Sequence, residues 1–190
     1  MMGIVLYGPP ASGKTSITVA LGEVDSRFTL VRKLKAGNRR GTEYEFVSSQ
    51  ELARYRAASR LLVESHRYGN TYAIDRHHID QLTAAGQVPI VHMGNIADIR
   101  RLVLDTPWLV VLLWIPRQVC EQRSHQRGDS DTDQRLQAWD ETSADLHAND
   151  DGLFLCRFRT DEATPHEIAK QTADAFYTQR GHHAVTAPDH

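Results

Sequence analysis

Cysteine is scarce in this chain. There are two, Cys120 and Cys156, far apart and in no C-x-x-C arrangement. Both sit among apolar neighbours, where a thiol behaves as a small core residue rather than a disulfide or metal ligand. Long hydrophobic runs are missing too. The longest, Trp108 to Ile115, falls far short of the roughly 20 residues that a membrane-spanning helix needs. No charge sign predominates: 22 Lys and Arg stand against 24 Asp and Glu, for a formal net charge of −2. Bulk attraction to nucleic acid or to an anionic membrane is therefore not expected, and any anion binding must come from local clusters. The histidines show no zinc-ligand spacing, and no internal repeat is present. The N-terminus lacks the basic segment of a secretory signal, so the expectation is a reducing, cytoplasmic setting. At 190 residues the chain suits one compact α/β domain over 1–180, with a disordered tail at 181–190.

What is present is an alternation of strand and helix patterns. Gly3 to Tyr7 reads as a buried strand that runs into a glycine-proline loop. Ile17, Ala20, Leu21 and Val24 then recur at helical spacing. Short strands are predicted at Phe28–Val31, Tyr44–Val47 and Leu61–Glu64, with the basic stretch Arg32 to Gly41 as a loop. Ser48 and Glu51 form a capping box for a helix to Arg60, and a further helix spans Asp75 to Ala85 before Gly86. Val88–His92 and Leu109–Ile115 read as buried parallel strands around a helix at Ile96–Leu104. Helices follow at Arg117–Arg127 and Thr132–Leu146, then a strand at Leu153–Phe158 and a last helix opened by Thr164 and Glu167. A doubly wound, mainly parallel sheet is the economical architecture.

The segment Gly8-Pro9-Pro10-Ala11-Ser12-Gly13-Lys14-Thr15 matches G-x-x-x-x-G-K-[ST] residue for residue, with Ser16 following. Its glycines let backbone N–H groups turn toward phosphates, and Lys14 supplies a charge for the β- and γ-phosphates. Thr15 offers a hydroxyl to Mg²⁺, and the helix N-terminus adds partial positive charge. The pattern sits between a predicted strand and a predicted helix, so ATP-Mg²⁺ binding is the expectation.

Three further clusters bear on what receives the phosphate. Arg32 to Gly41, ahead of Tyr44, is rich in cations and suits an anionic substrate, or else is a solvated basic loop. Arg123 and Arg127 share a helical face and Arg135 follows the acidic turn; they could clamp a transferring phosphoryl group or simply salt-bridge a surface helix pair. Glu64 to Tyr72 mixes hydrogen-bonding and aromatic groups, as a base or sugar pocket would, although a polar loop accounts for it equally. Glu64 and His92 are the candidate bases if the acceptor is an alcohol.

In this order behind a P-loop, the clusters resemble the guanylate kinase family from Gly3 to about Lys170. The resemblance rests on the P-loop, Ala36-Gly37 with Tyr44 to Ser48, Glu64 with Gly69-Asn70 and Tyr72, and Arg127-Gly128 with its later Arg135-Leu136. It implies a three-layer P-loop fold with an acceptor-binding insertion at about 27–75 and a helical lid at about 120–140. It also implies that Arg32, Lys35 and Tyr44 hold the phosphate of a (d)GMP-like acceptor. Glu64 would read the base edge, Tyr72 would add to phosphate binding, and Arg123, Arg127 and Arg135 would serve the lid. The departures are Lys35 in place of an arginine, Phe28 and Ile74 in place of serines, and His92-Met93-Gly94 in place of an acidic pair; the lid is also short. The stretch from His66 to Asp75, with Gly94-Asn95, resembles ribose 1,5-bisphosphokinase, which has no purine to read. A small-molecule phosphate acceptor is implied either way, with no nucleic acid or membrane partner, and a homodimer is compatible. A guanylate-kinase-like domain that only binds a partner is the alternative of another class, against which the intact Lys14 and Thr15 stand.

Overall fold

The computed structural model describes residues 3–39, 41–67, 69–104, 106–149 and 152–185. Arg40, Tyr68 and the tail beyond Val185 lie outside these. The chain order is β1 (Ile4–Tyr7), α1 (Lys14–Val24), β2 (Phe28–Leu30), β3 (Lys33–Ala36), β4 (Tyr44–Phe46), α2 (Ser49–Ala57), β5 (Leu61–Arg67) and β6 (Asn70–Asp75). It continues with α3 (Arg76–Ala84), β7 (Val88–Met93), α4 (Ile96–Val103), β8 (Leu109–Trp114), α5 (Arg117–Arg127), α6 (Thr132–Asn149), β9 (Cys156–Arg159) and α7 (Pro165–Val185).

Five strands form a parallel sheet in the order β2-β7-β1-β8-β9. β1 lies at its centre and is buried on both faces, which is why its sequence is apolar at every position rather than alternating. Ile4 and Leu6 pack with Ile17 and Leu21 of α1 and with Ile168 and Phe176 of α7. Val5 and Tyr7 face the other way, toward Ile79 of α3 and Ile96, Ile99 and Leu102 of α4. Helices therefore cover both faces, giving the expected three layers.

A second, four-stranded sheet has the order β4-β3-β6-β5. Two of its strands, β3 and β6, were not anticipated, because each hides in a polar segment whose periodicity is masked by lysine, asparagine and threonine. Leu34, Ala36 and Ala73 line one face and pack on Leu52 of α2. Lys33, Lys35, Tyr44, Phe46 and Tyr72 lie on the other, since side chains alternate along a strand and paired residues share a face. The last central strand begins at Cys156 rather than Leu153, and α7 continues through Val185 rather than ending near 180.

The helix ends follow their sequence signals. Ser48 accepts from the Glu51 N–H while the Glu51 carboxylate accepts from the Ser48 N–H, a complete capping box. Thr164 and Glu167 do the same for α7. Gly128 ends α5 at φ 69°, a left-handed position that favours glycine.

Phe28, at a position where the family resemblance implies a serine, is buried in the core edge-on to Phe176, with ring centroids 5.7 Å apart. Phe28→Ser removes that packing. It should cost roughly 3–5 kcal/mol, the range for deleting a buried phenyl ring, read as a lowered urea midpoint.

Candidate active site

Gly8 ends β1 in a conformation where a β-carbon would lie 2.0 Å from the Leu113 carbonyl oxygen. The loop then turns through Ala11 at φ 60° and Gly13 at φ 81°, and α1 begins at Lys14. Two devices hold this shape. The Lys14 ammonium donates to Gly8 O at 2.7 Å, Pro9 O at 2.8 Å and Ser12 Oγ at 3.2 Å. Arg123 of α5 donates to Ala11 O at 2.9 Å and to Thr160 O at 2.7 Å, tying the loop to the end of β9. Beneath it, the Cys120 thiol donates to Pro10 O, and Ile115, Cys120 and Leu136 form a small core shared by loop and lid.

The loop forms the floor of a cleft of about 730 Å³. Gly8, Pro10, Ala11, Ser12, Gly13, Lys14, Thr15 and Ser16 line it, together with Arg123 and Arg127 of α5 and Arg135 of α6. Pro9 is not among the lining residues, but its carbonyl receives Lys14. Arg135 is held by Asp129 at 3.1 Å and Asp131 at 2.8 Å, as the salt-bridged reading expects, and it also borders the cleft.

On the opposite wall stand Lys33, Glu43, Tyr44, Arg67 and His92. Lys33 and Arg67 were not singled out from sequence. Lys33 donates to His92 O at 2.6 Å, and Arg67 donates to Gly94 O at 3.0 Å and to Glu141 of α6 at 2.7 Å. The signal for Lys33 was present in the basic stretch, but its prominence waits on β3 being a strand.

Cations in this cleft weaken one another's protonation. Burial, with the charge of Lys33, lowers Lys14 to about 7. Burial, with Arg67 nearby, lowers Lys33 to about 8 despite Asp98 and Glu43. Burial, Lys14 and Lys33 push His92 down to about 3, so its imidazole stays neutral. Its Nε2 lies 2.8 Å from Thr18 Oγ1, one turn beyond the loop. A neutral ring this reluctant to take a proton is a poor general base.

The other expected acceptor residues are distributed differently. Tyr44 borders the cleft. Lys35 is buried: its ammonium is 2.9 Å from Asn38 Oδ1 and lies over the rings of Tyr44, Phe46 and Tyr72 at 4.9, 5.8 and 5.6 Å. Tyr72 thus shields a lysine, and Arg32 is exposed outside the cleft lining. Glu64 needs correction. β5 carries one extra residue between Leu61 and Val63, so Glu64 pairs with Ala73 on the α2 face and Ser65 pairs with Tyr72 on the cleft face. The carboxylate of Glu64 is held by Arg56 of α2 at 2.5 and 2.9 Å, which keeps it below the usual carboxylate range. It lies outside the cleft lining, and with its carboxyl held low it too is a weak base.

A guanylate kinase family model matches residues 1–153. The chain belongs to the guanylate kinase family. Among curated proteins it is similar to the guanylate kinase of Symbiobacterium thermophilum, 36% identical over 49% of this chain and 46% of that protein. It is likewise similar to that of Bordetella pertussis, 36% identical over 43% of this chain and 40% of that protein. The matched region thus spans less than half the length of these relatives. Among solved structures, a guanylate kinase from Anaplasma phagocytophilum superposes with a TM-score of 0.64 at 13% identity, over 94% of this chain and 85% of that one. A shikimate kinase from Acinetobacter baumannii, in complex with shikimate, reaches 0.50 at 13% identity, over 94% of each chain. At that identity these two establish the fold alone. The phosphate-loop sequence Gly8 to Thr15 lies within the matched region. No helix among the described residues is long and apolar enough to cross a membrane.

Two outcomes follow from this geometry. Glu64→Gln should leave kcat and the acceptor KM within about twofold and cost at most about 1 kcal/mol of stability, as for an exposed ion pair. Steady-state kinetics and urea unfolding check both. For Lys33, the folded state binds fewer protons than the unfolded chain between pH 8 and the free-lysine value of 10.5, so its contribution to stability improves as pH rises through that window. Lys33→Met should flatten the slope in paired unfolding curves at pH 7.5 and 9.5.

Proposed function

We propose that the protein is an ATP-dependent phosphotransferase that passes the γ-phosphoryl group to a small, phosphate-bearing acceptor. The observation that carries this reading is the loop from Gly8 to Thr15, wrapped around the Lys14 ammonium and faced by Arg127 and Arg135 across one cleft. The residues fit a nucleotide phosphate: the left-handed turns aim the backbone into the cleft, and Lys14 now rests on carbonyl oxygens that phosphate oxygens would replace. Among the described residues no group of three or more His, Cys, Asp and Glu side chains is placed to hold a metal ion. That suits Mg²⁺, which would be held by the exposed Thr15 hydroxyl together with phosphate oxygens and water. When bound, it neutralises charge on the β- and γ-phosphates.

The chain's own part in the reaction is positioning and charge. Lys14 would follow the β- and γ-oxygens, Arg127 and Arg135 would meet the transferring group, and Arg123 would keep the loop in shape beneath them. A phosphate monoester acceptor is ionised near neutral pH and needs no base. This agrees with a site in which both candidate bases, Glu64 and His92, are weak. Family membership and the named relatives support a GMP-like acceptor. One observation favours a second reading, a phosphorylated sugar: Phe28, Ile74 and Glu64, at the positions implied to read a purine, lie in the core or on the α2 face. The two unpaired thiols, Cys120 and Cys156, are in keeping with a reducing cytoplasm.

Lys14→Ala should abolish ADP release with every acceptor in a coupled assay covering GMP, dGMP, other nucleoside monophosphates, ribose 5-phosphate and ribose 1,5-bisphosphate. Retention of near-normal turnover would refute the assignment. ATP binding without turnover of any acceptor would instead point to a binding module.

A further inference from the structure

The family resemblance implies that the acceptor phosphate is held by Arg32, Lys35 and Tyr44, with Tyr72 adding to its binding. In this chain Lys35 lies beneath three aromatic rings, and Arg32 is outside the cleft lining. Two other cations occupy the wall facing the phosphate loop. Lys33 is two residues before Lys35 on β3 and shares its face. Arg67 is two residues after Ser65 on β5 and shares the face of Tyr72. Although they come from strands at different places in the second sheet, both are fastened to the carboxyl end of β7. Lys33 binds the carbonyl of His92, and Arg67 binds that of Gly94. β7 ends at Met93, and both cations line the same cleft, close enough for the charge of Arg67 to weaken the protonation of Lys33. An anion bound between two such groups would relieve that repulsion. Tyr44, whose hydroxyl keeps its proton because burial and the neighbouring Glu43 raise its pKa, stands beside them; it is hydrogen-bonded to Glu43 and could turn to an incoming anion.

We propose that Lys33 and Arg67, at the carboxyl end of β7, form the anion site for the acceptor's phosphate, with Tyr44 as a further donor. The site rests on the phosphotransferase reading above for its biological use, but not for its existence. Its chemistry fits the placement of Lys33, half-buried against a carbonyl, where Asp98 and Glu43 support its charge only in part and a bound anion would support it further. The same bulge that turns Glu64 away from the cleft brings Ser65 and Arg67 onto it, so a purine-reading acid is exchanged for a phosphate-binding guanidinium. Gly94 is part of this arrangement, since a β-carbon there would stand 2.9 Å from the Arg67 guanidinium.

The test uses inorganic phosphate as probe, titrated calorimetrically into the full chain with the donor site filled by a non-hydrolysable ATP analogue and Mg²⁺. Lys33→Met and Arg67→Met should each weaken phosphate binding at least tenfold, with circular dichroism unchanged. Arg67→Lys should recover part of the loss. Glu141→Gln, which removes only the outer partner of Arg67, should stay within twofold. With accepted monoesters from the nucleotide and sugar series, the two Met variants should raise the acceptor KM at least tenfold while the ATP KM moves less than twofold. Phosphate affinity unchanged in both Met variants, no phosphate binding by the wild type, or a larger loss in Arg32→Met than in Arg67→Met would each overturn the site. Should no monoester be turned over while phosphate binding still depends on Lys33 and Arg67, the anion site stands and the phosphotransferase reading falls.

Discussion

Positive charge held at low dielectric without enough negative charge to answer it is the constraint on which this structure turns. Lys14, Lys33, Arg67, Arg123, Arg127 and Arg135 border one cleft in a protein whose net charge is slightly negative. The fold tolerates the crowding by giving several of these groups a backbone carbonyl to donate to: Gly8 and Pro9 for Lys14, His92 for Lys33, Gly94 for Arg67, and Ala11 and Thr160 for Arg123. Carbonyl oxygens satisfy donors without cancelling charge, so the field remains for a ligand to use. A preorganised field of this kind stabilises an anionic phosphoryl group without reorganising during transfer.

The central sheet places that field. β1, β7 and β8 are parallel, so their carboxyl ends finish on one edge of the sheet, and the loops leaving them supply Gly8 to Lys14, His92 to Gly94, and the approach to the lid. Buried strands with helices on both faces leave that edge little freedom. α6 is fastened beneath the cleft by Trp139, which donates to Ile115 O at 2.9 Å, and by the shared core of Ile115, Cys120 and Leu136. Arg67 links the second sheet to the lid helix through Glu141, so the donor and acceptor walls of the cleft meet in a single side chain.

The second sheet shows how one residue redirects a site. Leu62 and Val63 both pack into the core on the α4 side, which is the signature of the bulge in β5. With the register of Leu61 and Asp75 continued unbroken, Glu64 would have stood opposite Tyr72, facing the cleft. One extra residue exchanges the two faces of the strand beyond it. The aromatic box around Lys35 lies on the face that carries Tyr72 and Ser65.

The phosphate loop, the buried parallel strands and the capped helices were legible in the chain itself. Each depends on residues adjacent in sequence: a glycine where a β-carbon would strike a carbonyl, apolar runs, or a serine and a glutamate three apart. The acceptor wall was not legible in that way. β3 and β6 are polar strands with no clear period, and which face Glu64 or Arg67 takes depends on pairing with a partner strand across the second sheet. Sequence alone therefore determined the loop on which the proposed phosphate site is built, and where it lies. Only the tertiary structure decided which cations oppose that cradle, because strand register is a relation between segments and no single segment contains it.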